Sequence, residues 1–370
     1  MDRRTFLKTT LSTTGVAAAG GSVAVSPALA RPNPEPIARA ASVSIEAHVS
    51  GAFEMPYLKD VAEQFSRRVF EVSDGQLRIQ IQDATSQGPH VGSSDKGVLG
   101  GAEASFSVGS ELVAVHPAFG YFSGLPLDLG LSSQLFMTWL TAVGGQMLWD
   151  DLAGLHGFKP ILIGHSGATG GGWVRRDLVS APDLRGLKVS VSGLGGKVAE
   201  ALGGAVVEMA VDQQASGLRE GALAFAELPV PLTIAVSSGF GGEQVGWVHE
   251  RLGGQGAMLA FNIDRTVWDK LSLADQAVIE ACGRESAIVL TAEQAAHHGM
   301  VAPHLMAASG VSVSKLPSTL MQAARKVARE IVGDVAAFDM TAARVHDAYT
   351  EFQRRMAGLD EPAGLPNLVG

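Results

Sequence analysis

A single cysteine, Cys282, excludes any disulfide within the chain. It lies in an apolar helical stretch, where a buried, inert thiol is expected rather than a nucleophile. Beyond residue 30 no apolar run is long enough to span a bilayer, so the remainder is expected to be soluble. No basic cluster is present that would neutralise several phosphates, which argues against a nucleic-acid partner. The sequence also has no internal repeat and no long low-complexity tract.

Catalytic and cofactor motifs are present only in broken form. Gly164-His165-Ser166-Gly167-Ala168 approaches the nucleophile elbow of a hydrolase, but its last glycine is replaced. The helix that must follow is opposed by Gly170-Gly171-Gly172. Gly193-Leu194-Gly195-Gly196-Lys197-Val198 starts like a dinucleotide fingerprint and ends on valine; the same valine defeats a phosphate-binding loop at Gly196-Lys197. Free N–H groups at a helix start there would still favour an anion or a polar ligand group. His249-Glu250 has no second histidine at the zinc spacing, and Asp264 to Asp269 has no calcium-loop spacing. His297, His298 and His304 read as exposed or capping histidines near a helix end.

The N-terminus carries an address. Asp2-Arg3-Arg4-Thr5-Phe6-Leu7-Lys8 holds a twin-arginine pair, a weakly apolar stretch follows, and Ala28-Leu29-Ala30 is a small-x-small cleavage site. Residues 1–30 therefore read as a twin-arginine export signal into the periplasm, and 31–41, with three prolines, as a flexible lead-in. Losing Arg3, Arg4, Lys8 and Asp2 takes the net charge from −9 to about −11.

The rest alternates strands and helices. Val43 to Ala47 and Leu77 to Ile81 alternate apolar and polar residues, while Leu58, Val61, Phe65 and Val69 share one face of a helix opened by Pro56. Leu135, Trp139 and Val143 mark a helix over 132–152. A second series starts near Phe158, and the last hundred residues are mostly helical, with a capping start at Ser272 and a break near Gly333. The fold class is α/β: two α/β lobes plus C-terminal helices.

One set of residues is specific enough to name a family. Gly171-Gly172-Trp173-Val174-Arg175-Arg176 leads to Asp183-Leu184-Arg185-Gly186-Leu187-Lys188-Val189, then to the Gly193–Val198 segment, with Glu220-Gly221 and Ala226-Glu227 later. Asn262, Trp268-Asp269-Lys270-Leu271-Ser272 and Asp275-Gln276-Ala277 add to it. The chain resembles the solute-binding subunits of TRAP transporters (tripartite, ATP-independent), nearest to the branch that binds 2-oxo acids with a metal ion. The resemblance implies a periplasmic-binding-protein fold, two α/β lobes with a hinge and a cleft that close on one small organic solute, a membrane permease as partner, a monomer or homodimer, and no catalysis. On that fold the lobes are placed at 42–158 with 226–254, and at 159–225 with 256–316; 317–358 forms the C-terminal helices.

The resemblance also points to departures. Ser190 stands where the family has a carboxylate-clamping arginine, Thr169 where the branch has glutamine, and Leu228 follows Glu227 where it has tryptophan. A later family glutamate falls on Leu252 or Glu250. Thr169, Ser190 and Glu227 are the expected lining residues, with Ser107 and Ser110 facing them from the first lobe. Glu227 is the one candidate ligand for a calcium or sodium ion, which wants about six oxygens; otherwise no cofactor is expected. Without the arginine, a neutral or largely apolar solute is expected. A twin-arginine-exported two-domain oxidoreductase and an accessory binding protein without a transport ligand are the competing readings.

Overall fold

Eleven strands among the described residues form two sheets. The first contains β1 (Val43–Val49), β2 (Leu77–Gln82), β3 (Ala104–Val108), β4 (Phe158–His165) and β10 (Met258–Asp264). The second contains β5 (Gly172–Arg175), β6 (Lys188–Ser190), β7 (Ala205–Val206), β8 (Phe225–Ala226), β9 (Val245–Val248) and β11 (Val313–Ser314). The computed structural model describes residues 43–49, 51–82, 98–166, 171–175, 178, 183–256, 258–301, 304 and 308–357. The expected signal segment, the lead-in and Thr169 lie outside these residues.

In the first sheet the order is β2-β1-β3-β10-β4. β1 pairs in parallel with β2 and β3, and β10 runs antiparallel between β3 and β4. Pro56 opens α1 (Pro56–Val72), whose Leu58, Val61, Phe65 and Val69 are all buried, as their spacing predicts. Each such side chain contributes roughly 2 kcal/mol by leaving water. Phe65 packs on Phe106 of β3 and Phe261 of β10, whose own ring centroids are 4.8 Å apart. The second sheet has the order β11-β9-β5-β8-β6-β7.

The strand content of the lobes differs from the sequence expectation. Residues 226–254 supply β9 to the second sheet, whereas β10, placed by sequence in the second lobe, sits at the heart of the first together with β4. β10 is strongly apolar and buried on both faces, so periodicity marks it as a core strand without saying which core. The chain thus crosses between sheets after β4, again between β9 and β10, and again before β11.

Helices follow the same logic. The stretch read as one helix is two, α2 (Ser133–Ala142) and α3 (Gly145–Gly154), parted at Gly144, whose φ of 95° a helix does not accommodate. Next come α4 (Gly193–Ala201), α5 (Val211–Glu220), α6 (Leu232–Ser237) and the long α7 (Leu273–Ala296), which lies on β4 and α1. α8 (Ser318–Ala336) runs unbroken through Gly333; the break before α9 (Met340–Met356) falls four residues later, at Ala337–Asp339, where Asp339 caps the new helix through Ala342 N–H. Leu320, Met321, Ala324 and Ala328 of α8 pack with Val189, Val198 and Phe225 of the second lobe. Its far end, Val332 and Val335, packs with Trp149 and Leu152 of the first, as do Val345, Tyr349 and Phe352 of α9.

Candidate functional site

Four strands end at one small cavity between the sheets. Ser110 follows β3, Ser192 follows β6, Glu227 directly follows β8, and Arg251 lies in the connector from β9 to β10. These are carboxyl ends of strands, where open α/β sheets leave room for a ligand. Gly193, Leu194, Gly195, Leu228, Pro229, Gly253 and Gly254 complete much of the wall. The volume is about 40 Å³, space for about three water molecules.

The lobes touch around it. Ser192 Oγ donates to Ser110 Oγ at 3.0 Å, one hydroxyl from each lobe. Leu194 of α4 is buried in the first lobe's cluster beside Phe119 and Phe122. Leu127 N–H donates to the Gly253 carbonyl at 2.9 Å.

Glu227 is the most heavily engaged side chain of the site. Its N–H extends the β8–β6 pairing by donating to the Ser190 carbonyl at 2.9 Å. The carboxylate, only 4% exposed, accepts from Leu252 N–H at 2.6 Å and from Gly253 N–H at 3.1 Å. A Cβ on Gly253 would stand 2.6 Å from Glu227 Oε2, so a larger residue there would have to displace the buried carboxylate. Arg251 Nη2 also donates to Oε2, at 3.4 Å. The Arg251 side chain is 13% exposed, and its Nε and Nη1 are buried with no hydrogen-bond partner. Nearby His165, at the end of β4, is buried against Phe136. Burial pushes its pKa down to about 4, with the Arg251 charge acting in the same direction.

The predicted residues divide. Ser110 and Glu227 line the cavity. Ser107 does not: it is fully buried within the first sheet, where its hydroxyl accepts from Asn262 Nδ2 at 2.8 Å. The chain turns after Val108, so Ser110 reaches the cleft instead. Ser190 is buried on β6 and contributes its carbonyl to Glu227 rather than a hydroxyl to the wall. Thr169 lies outside the described residues. Glu250, one of the two positions for the later glutamate, holds Leu316 N–H at 3.0 Å on the β11 side. Sequence reasoning missed Arg251. The available signal was a cation immediately before Leu252-Gly253-Gly254 at the end of a strand.

As a metal ligand Glu227 fits poorly. Its oxygens already accept from two backbone N–H groups and a guanidinium, and a cation beside Arg251 would be repelled. Among the described residues no three histidine, cysteine, aspartate or glutamate side chains converge. His297, expected from sequence to be exposed or capping, is instead buried with Nδ1 3.2 Å from Thr233 Oγ1, and the Gly193–Val198 segment opens α4.

Two α/β sheets joined by repeated crossings, with a closed cleft at their strand ends, define a bilobed solute-binding protein. The chain belongs to the bacterial extracellular solute-binding proteins of family 7 (DctP), whose family model matches residues 47–338. It is a receptor of the TRAP class. A monocarboxylate 2-oxoacid-binding periplasmic protein of Nostoc sp. is 24% identical over 302 residues, 80% of each chain. Among solved structures, a TRAP solute-binding protein from Bordetella bronchiseptica superimposes with a TM-score of 0.77 at 21% identity, covering 87% of this chain and 95% of that one. It holds calcium and picolinate. Another, from Pseudoalteromonas atlantica, has a TM-score of 0.74 at 19% identity, covers 88% and 97%, and holds sodium and pyruvate.

Proposed function

We propose that this receptor is exported to the periplasm by the twin-arginine route, closes its two lobes on one small organic solute, and presents the closed form to a TRAP permease, without catalysing a reaction. The observation that carries this reading is the cavity itself, walled by both lobes and bridged by the Ser192–Ser110 hydrogen bond. A solute that contacts both walls only when they meet shifts the protein toward the closed state by its differential affinity. Export is supported by Arg3-Arg4, the apolar stretch and Ala28-Leu29-Ala30. The absence of catalysis is supported by the broken hydrolase and dinucleotide motifs and by a cavity whose one charged pair is already mutually engaged.

A thermal-shift screen of the purified protein tests this. The panel holds 2-oxo acids, dicarboxylates, neutral solutes, aromatics and nicotinamide cofactors, each with calcium or with EDTA. A true ligand at a hundred times its dissociation constant stabilises the fold by about 2.7 kcal/mol, a readable shift. A shift with small solutes only is the expected result. A shift confined to nicotinamide cofactors, or none with any solute, overturns the reading.

A further inference from the structure

We propose that Arg251 is the anion-recognising residue of this receptor, so that it captures a short-chain carboxylate with a built-in guanidinium and needs no metal ion. This rests on the receptor reading above and names its solute class. It departs from the neutral solute that Ser190 suggested.

Two independent observations meet in the cavity. The first is the imbalance within the Arg251–Glu227 pair. The charges match, but the hydrogen bonds do not: the carboxylate accepts from two backbone N–H groups, whereas the guanidinium makes one contact of 3.4 Å and buries Nε and Nη1 without partners. Buried unpaired donors on a charged group are costly, so an acceptor that reaches them is strongly favoured. The second is α4, nine residues long, whose first turn at Gly193, Leu194 and Gly195 lines the same cavity. Ser192 leaves that turn uncapped, because its hydroxyl is directed to Ser110. First-turn N–H groups have no carbonyl of their own helix, and the helix end favours negative charge.

An oxyanion between Arg251 and the start of α4 would answer both deficits, while Leu194, Leu228 and Pro229 give the solute an apolar wall. The small volume limits that wall to a short carbon chain. Glu227 then acts as the positioning residue for the guanidinium and for the Leu252-Gly253 turn. This is the role its hydrogen bonds allow, in place of the metal ligation they oppose.

Calorimetry on the purified protein in EDTA decides it, using acetate, glycolate and pyruvate against the matching uncharged amides. The expected result is binding of at least one acid in EDTA and of no amide. Arg251→Gln should weaken that acid by roughly thirtyfold or more. Glu227→Gln should weaken that acid as well, equally in EDTA and in calcium, because the amide keeps one acceptor oxygen and turns an –NH2 donor towards Gly253 N–H and the guanidinium, which loosens the position of Arg251. A metal-ligating Glu227 would instead show its loss only in the presence of calcium. Binding that appears only with calcium, amides binding as well as acids, or Arg251→Gln binding unchanged each overturn the proposal. If no acid binds while the thermal screen finds a neutral solute, the carboxylate falls and the receptor stands; if nothing binds in either, both fall.

Discussion

Burial keeps the His165 imidazole neutral down to a pH of about 4, against an ordinary value of 6.5. Between those limits the unfolded chain takes up a proton that the folded chain refuses, so stability falls as pH drops from 6.5 towards 4. The full effect is roughly 3 kcal/mol. His165→Gln should therefore flatten the fall in urea midpoint between neutral and acidic pH, while the carboxylate contribution, common to both proteins, remains. An unchanged slope would mean that His165 is solvated or already protonated. At this scale the sequence was only partly legible. Glu227 and Ser110 could be placed at the cavity, because each closely follows a strand. Ser107 and Ser190 could not be excluded, because a serine on a strand carries no mark of the face it occupies. Arg251 went unread because its importance depends on the connector between β9 and β10 bringing it to Glu227, a contact twenty-four residues apart.

Among the elements, α7 illustrates what local chemistry can specify. Ser272 Oγ accepts from Asp275 N–H at 3.1 Å and donates to the Asp275 carboxylate at 2.7 Å, the reciprocal start that its sequence announced. Ser272→Ala should cost about 1 kcal/mol in urea denaturation. A loss near zero would show the helix start to be held by packing alone. Elements with a cap or an amphipathic face, such as α1 and α7, are legible because their causes are local. The division of strands between lobes is not, because β9 and β10 are both buried apolar runs and only tertiary pairing tells them apart. The break between α8 and α9 shows the same limit from the other side. Glycine at 333 costs the helix something, but that part of α8 is stabilised by Val332 and Val335 in the core, and the helix continues to Ala336.

At the scale of the whole molecule, closure depends on how near the lobes can come. Gly120 faces Leu194 across the interface, and a Cβ on it would lie 2.3 Å from Leu194 Cδ1. Gly120→Val should leave each lobe folded yet hold the two apart. Small-angle scattering should then show no compaction on adding a solute that compacts the wild type, and affinity should fall. Compaction equal to the wild type would mean that Leu194 swings aside and does not gate the approach.

α8 is seated in both lobes at once, its first three turns against the second and its last against the first. A rigid rod fastened at both ends does not permit free flapping. For the cleft to open, one end of the rod must slide over its bed, so the travel of the lobes is geared to the slip of a few side chains along α8. Shortening or stiffening that bed would set the stroke of the receptor without touching the residues that hold its cargo.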